Sequence, residues 1–190
     1  MKIGLFFGTF NPFHIGHLVI GSYMSEFTDL DQVWFVVSPQ NPLKIRHTLL
    51  PDVQRLMMVR MSIEYNLKLK ASNIEFSLPI PSYTINTLTY IQEQHPDDKF
   101  VLIAGTDILD TFDKWKNYEQ ILEQYEIYVY PRKNSSGGKF ITHPHVKLIE
   151  APLMEISSTF IRDAIKNKKD VRYMLTEKVW EYVKEMHFYK

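Results

Sequence analysis

Cysteine is absent from the 190-residue sequence, which removes disulfide staples and thiolate zinc centres and is compatible with a reducing compartment. Excess charge is absent as well, since 22 Lys and Arg face 22 Asp and Glu. A balanced chain has no global field to draw in nucleic acid or an anionic membrane, so any anion must be met by local groups. Long hydrophobic runs are missing too. The first, Ile3 to Phe7, is too short for a signal segment or a membrane span. Neither an internal repeat nor a long polar tract occurs. What remains is the expectation of a cytoplasmic protein folded as a single domain, residues 1–190, long enough to bury roughly 70% of its unfolded surface without staples.

The most informative stretch runs from Gly8 to His17, Gly-Thr-Phe-Asn-Pro-Phe-His-Ile-Gly-His. It follows the short apolar run and leads into Leu18-Val19-Ile20, where the apolar spacing becomes helical, so the order is strand, tight loop, helix. A glycine lets backbone N–H groups approach a ligand, and a helix start adds unpaired N–H groups and a positive dipole end. His14 and His17, three residues apart, fall on one side of that helix start and can donate to the same phosphate oxygens. The alternative is a βα turn that Gly, Pro and two His merely punctuate.

Further along, Leu18, Val19, Tyr23, Met24 and Phe27 give the helix its apolar face, and Val33 to Val37 reads as a strand buried on both sides. The loop Gln40 to His47 gathers Lys44, Arg46 and His47 beyond that strand's carboxyl end, where open α/β sheets bind ligands; a solvated loop is the plainer reading. A helix is expected from Pro51-Asp52, with Leu56, Met57, Val59, Arg60 and Ile63 as its pattern and Met57, Met58 and Met61 as core filler. Lys70 to Phe76 reads as a strand, and Ser82 as the N-cap of a helix over Tyr83 to Gln94.

Phe100 to Ala104 is the clearest strand, and it runs into Gly105-Thr106-Asp107. A carboxylate there meets ribose hydroxyls in some doubly wound sheets and caps a helix in others. Trp115, Tyr118, Ile121 and Leu122 follow at helical spacing, then a strand from Glu126 to Tyr130, trailed by Pro131-Arg132. Asn134 to Gly138 reads as a flexible tip, and His143 with His145 as an incidental pair rather than a metal site, because no third ligand is near. After a last strand, Val146 to Ile149, the hydroxyls of Ser157, Ser158 and Thr159 open a helix. They either cap its N–H groups or cradle anionic oxygens, with Arg162 as a fixed charge one turn later. Val179, Trp180, Val183 and Met186 mark a final packing helix. Five or six strands alternating with helices give an α/β protein with a mostly parallel sheet.

Gly8 to His17 resembles the H-x-G-H signature of the nucleotidyltransferase superfamily, which class I aminoacyl-tRNA synthetases share in part. Paired with Ile-Ser-Ser-Thr-Phe-Ile-Arg at 156–162, it is similar to the two end motifs of the adenylyltransferase branch. Pro81 to Leu88, Gly105-Thr106-Asp107 followed by Trp115, and Arg55 to Val59 look like segments of the bacterial nicotinate-nucleotide adenylyltransferases, in order and over nearly the whole chain. Two positions depart from that pattern: Phe7 stands where a second Gly is usual, and Asn86 where Asp is frequent.

The resemblance implies a Rossmann-like, doubly wound, mostly parallel sheet of the nucleotidyltransferase fold with C-terminal helices. It implies AMP transfer from ATP to nicotinate mononucleotide, with Mg²⁺ held mainly by substrate phosphates and no dedicated protein metal site. His14, His17 and Arg162 would act at the reacting phosphates. Gly8, Thr9, Phe10, Ser157, Ser158 and Thr159 would hold the triphosphate, and Gly105 with Asp107 the adenylate ribose. Lys44, Thr84 and Trp115 would meet the mononucleotide. ATP and the mononucleotide are the expected partners, with nucleic acid and membrane excluded and self-association left open. Preference for nicotinamide mononucleotide, phosphopantetheine adenylylation and a non-catalytic nucleotide sensor are the rivals, and a lid over Asn41 to Leu49 is a further expectation.

Overall fold

Strands that are apolar along their whole length need cover on both faces, and this chain supplies it by alternating strands with helices. In the computed structural model, which describes residues 1–39 and 49–190, the chain runs β1 (Lys2–Gly8), α1 (Ile15–Phe27), β2 (Gln32–Val37), α2 (Asp52–Ile63), β3 (Leu69–Ser72) and α3 (Thr84–Gln94). It continues through β4 (Lys99–Gly105), a single turn α4 (Thr106–Leu109), α5 (Tyr118–Gln124), β5 (Glu126–Tyr130), β6 (Val146–Leu148), α6 (Ser158–Lys166) and α7 (Glu177–Glu185).

The six strands form one sheet in the order β3-β2-β1-β4-β5-β6, and every neighbouring pair is parallel. From β1 the chain moves outward to β2 and β3, then returns to the other side of β1 for β4, β5 and β6. The winding direction therefore switches between β1 and β4, and the loops after them leave in opposite directions from a crevice at their carboxyl ends. Period-two alternation sorts the side chains. Phe6, Phe35, Val37, Val101, Ile103 and Tyr128 pack on one face with α1, α2, α6 and α7, while Ile3, Leu5, Val36, Leu102, Ile127 and Val129 pack on the other with α3 and α5.

Several sequence expectations shift. The strand expected to reach Phe76 stops at Ser72, because Ser72 Oγ accepts the Ile74 N–H at 3.3 Å and a 3₁₀ turn over Ile74–Ser77 replaces the ladder. Ser82 does not cap α3. Its hydroxyl donates to buried Glu75 at 3.0 Å, and Tyr83 occupies the N-cap position. Trp115 precedes α5 instead of lying in it. Phe27, Met57 and Met186 are exposed rather than packed, and Arg55 takes a core-facing place on α2 that the apolar pattern passed over. Among the described residues, no helix is long and apolar enough to cross a membrane.

Candidate active site

The crevice at the switch point opens into a cleft of about 350 Å³. Gly8, Thr9, Phe10, His14 and His17 line it from the β1–α1 side, Gly105, Asp107 and Trp115 from the β4 side, and Ser157, Ser158, Thr159 and Arg162 from α6. Residues separated by most of the chain thus converge on one concavity.

The β1–α1 loop is shaped by close contacts. A Cβ on Gly8 would stand 2.7 Å from the Phe10 ring, so any larger residue there would have to push that buried ring aside. Phe10 itself has φ of 47°, in the left-handed region that an aromatic residue adopts only when its surroundings impose it. Its ring is buried against Phe13, Phe35 and His17. His14 is the N-cap of α1 and stacks on His17, with ring centroids 3.7 Å apart. The backbone N–H of His14 donates to His17 Nδ1 at 3.3 Å, which leaves the proton of His17 on Nε2. His14 is only 4% exposed. Burial first, and the charge of Arg132 second, push its pKa down to about 3, so the ring is neutral at physiological pH. Its Nδ1 is buried with no hydrogen-bond partner among the described residues.

The start of α6 is docked on this loop. Ser157 accepts the Phe160 N–H at 3.2 Å as an N-cap, and Ser158 Oγ donates to the Pro12 carbonyl at 2.9 Å. Arg162 donates to the Asn11 carbonyl at 2.8 Å and to Thr159 Oγ1 at 3.2 Å. Ser157 therefore caps, the first of the two alternatives read from the sequence, while Ser158 ties α6 to the loop, and all three hydroxyl residues line the cleft.

On the β4 side, Asp107 lies in the first turn of α4 with Gly105 as its N-cap. Arg132 Nε is 3.8 Å from its carboxylate, and Arg132 Nη1 donates to the Met154 carbonyl at 2.9 Å. Trp115 is half-buried, 5.1 Å from the Phe112 ring between centroids. Thr84 does not line the cleft. It opens α3 beside Tyr83, over whose ring Lys116 Nζ sits at 4.6 Å, so it is a neighbour of the Trp115 wall. Lys44, with the expected lid over Asn41 to Leu49 save for Leu49 itself, falls outside the described residues. His145 Nδ1 is engaged with the Leu122 carbonyl at 2.7 Å, and no cluster of three metal-ligating side chains occurs among the described residues.

The sequence reading passed over Arg132 and Tyr130, both of which line the cleft. Burial pushes the Tyr130 hydroxyl up to about 12, so it faces the cleft as a neutral phenol. The signal was available, since both stand at the carboxyl end of β5, the edge already singled out after β2 and β4.

A family model described as cytidylyltransferase-like matches residues 5–164. A probable nicotinate-nucleotide adenylyltransferase of Flavobacterium psychrophilum is 55% identical over all of both chains, and one of Bacteroides thetaiotaomicron is 46% identical over 97% of this chain and 92% of its own. Among solved structures, Plasmodium falciparum nicotinic acid mononucleotide adenylyltransferase complexed with NaAD superposes with a TM-score of 0.85 over 99% of this chain and 97% of its own. At 19% identity that likeness is one of fold. With full-length identity at this level, the chain belongs to the nicotinate-nucleotide adenylyltransferases, within the cytidylyltransferase-like family.

Proposed function

We propose that this cleft transfers the AMP moiety of ATP to nicotinate mononucleotide, giving nicotinate adenine dinucleotide and pyrophosphate. The observation that carries the reading is the convergence of His14, His17, the start of α6 and the Gly105-to-Asp107 strand end on a single cleft, in a chain with full-length nicotinate-nucleotide adenylyltransferase relatives.

A 5′-phosphate oxygen of the mononucleotide attacks the α-phosphorus of ATP. The new P–O bond forms as the bond to the bridging oxygen of the β-phosphate breaks, and pyrophosphate leaves in line. A phosphate monoester has its second pKa near ~6, so the nucleophile is already largely ionised and needs no strong base. Catalysis is then mostly positioning and charge compensation. His17 offers Nε2–H to the reacting oxygens because its Nδ1 is held by the loop. His14, held neutral by its burial, presents its imidazole to the same phosphates. Arg162 adds a fixed positive charge one turn into α6, whose start with Ser157, Ser158 and Thr159 receives the departing pyrophosphate.

Asp107 accepts from the adenylate ribose and Trp115 stacks on the nicotinate ring; Thr84, outside the cleft lining, backs the wall nearest the nicotinate carboxylate, and Lys44 serves the mononucleotide side. Asp107 is the one carboxylate lining the cleft among the described residues, a donor set that suits Mg²⁺ held by phosphate oxygens and water rather than caged by protein. When bound with ATP, the ion supplies neutralisation of phosphate charge.

Replacing His17 with alanine tests the assignment. Turnover should fall at least ~100-fold, as for other single donors aimed at developing charge, while the unfolding midpoint changes little. Full turnover in His17→Ala would remove the reading's catalytic core.

A further inference from the structure

Arg55 is the largest side chain with no solvent exposure among the described residues. A guanidinium has five N–H donors, and here each has a partner. Nε donates to the Leu50 carbonyl at 2.9 Å, and Nη1 to the carbonyls of Thr9 at 2.6 Å and Ser38 at 2.8 Å. Nη2 donates to the Pro39 carbonyl at 3.3 Å and to Asp52 Oδ1 at 2.5 Å. The fork joins three parts of the chain, namely the loop after β1, the end of β2 and the start of α2. A buried charge is costly, and a well-packed apolar residue would fill the same space at no greater loss of stability. What an apolar residue lacks is the ability to hold four carbonyls in fixed directions.

One of those carbonyls belongs to the site. The Thr9–Phe10 peptide is trans, so its C=O and N–H point in opposite directions. Gripping the Thr9 carbonyl from below turns the Phe10 N–H to the other side, and Thr9, Phe10 and Asn11 line the cleft there. Phe10's positive φ belongs to the same arrangement, a strained backbone kept in place by its surroundings. A second tie reinforces it, since Asn11 Oδ1 accepts from the Leu50 N–H at 3.3 Å and from the Tyr189 hydroxyl at 2.8 Å.

We propose that Arg55, which touches no substrate, is a positioning residue for nucleotidyl transfer. It aims the Phe10 amide N–H into the cleft as a donor to the reacting phosphates. The inference rests on the reaction proposed above and adds to it a cause, buried one layer below the site, for the direction of a backbone donor.

Two measurements on the full chain test it. In steady-state kinetics, Arg55→Lys keeps the charge but loses the fork. Its kcat should fall about 30-fold with both KM values within about threefold of wild type, and Arg55→Met should fall further, as expected for misaligned transition-state donors. A merely structural Arg55 would lower the unfolding temperature and leave kcat within twofold at a temperature where the variant is folded, which would overturn the proposal. In wild-type protein labelled with ¹⁵N-phenylalanine, the Phe10 amide resonance should move on addition of a non-hydrolysable ATP analogue together with nicotinate mononucleotide, and this response should be lost in Arg55→Lys. An unmoved Phe10 amide, or one that responds equally in both proteins, overturns the proposal even if the variants are too unstable for kinetics. Failure of wild type to release pyrophosphate with any acceptor would instead remove the reaction, and the amide titration would still decide the role of Arg55.

Discussion

His14 carries its protonation state into the stability of the whole protein. The unfolded chain takes up this proton near pH 6.5 and the folded chain only near 3. Between those values the unfolded state binds more protons, so the stability due to neutral His14 is complete above about pH 6.5 and is lost as the pH falls. The slope is up to about 1.4 kcal/mol per pH unit. Urea unfolding at steps from pH 7 to about 4.5 should show this loss in wild type and a flatter profile in His14→Gln; equal slopes would mean that His14 is not the group responsible. Gly105 makes a different demand. A Cβ there would stand 2.3 Å from Asp107 Oδ1 and 2.7 Å from Arg132 Cγ. Gly105→Ala should therefore displace both side chains, lowering kcat/KM for ATP about tenfold, the scale of a modest misplacement at a site. Steady-state kinetics check this, with the melting temperature expected to stay close to wild type.

The start of α3 is held by a buried carboxylate that no local pattern announces. Glu75, 2% exposed in the 3₁₀ turn after β3, accepts from Ser82 Oγ at 3.0 Å and from Thr87 Oγ1 at 2.7 Å. These bonds fix the segment that carries Tyr83 and Thr84 beside the Trp115 wall. Thr87→Val keeps the shape and removes one donor, leaving Glu75 under-satisfied. It should cost about 1–3 kcal/mol and raise KM for nicotinate mononucleotide more than KM for ATP, as thermal unfolding and initial rates would show. Sequence reasoning saw a hydroxyl ahead of a helix and assigned a cap, because Ser82 has the right residue type at nearly the right place. The competing partner lay in a segment read as strand, and nothing in Ile74-Glu75-Phe76 signals that its carboxylate turns inward. The hydroxyls at the start of α6 were easier, since Ser157 does cap and its neighbours face the cleft.

Across the molecule, legibility follows how local the cause is. The strands and their mostly parallel arrangement were readable because continuous apolar runs alternating with helices leave few architectures. The β1–α1 loop and the Ser157-to-Arg162 turn were readable because each packs its chemistry into a few adjacent residues. Arg55 was not, since a cation on an apolar helix reads as surface, and the carbonyls of Thr9, Ser38, Pro39 and Leu50 that bury it come from separate segments. Met57 and Phe27 failed the other way, because helical spacing marks a face without saying how far the neighbouring layer extends. The assembled cleft is expected to distinguish its acceptor by the wall that holds Trp115, which the start of α3 backs from behind. The most direct test is pyrophosphate release from ATP and Mg²⁺ with nicotinate mononucleotide, nicotinamide mononucleotide and phosphopantetheine supplied side by side. Strong preference for nicotinate mononucleotide is the expected result; release with phosphopantetheine alone, or with none of the three, would contradict it.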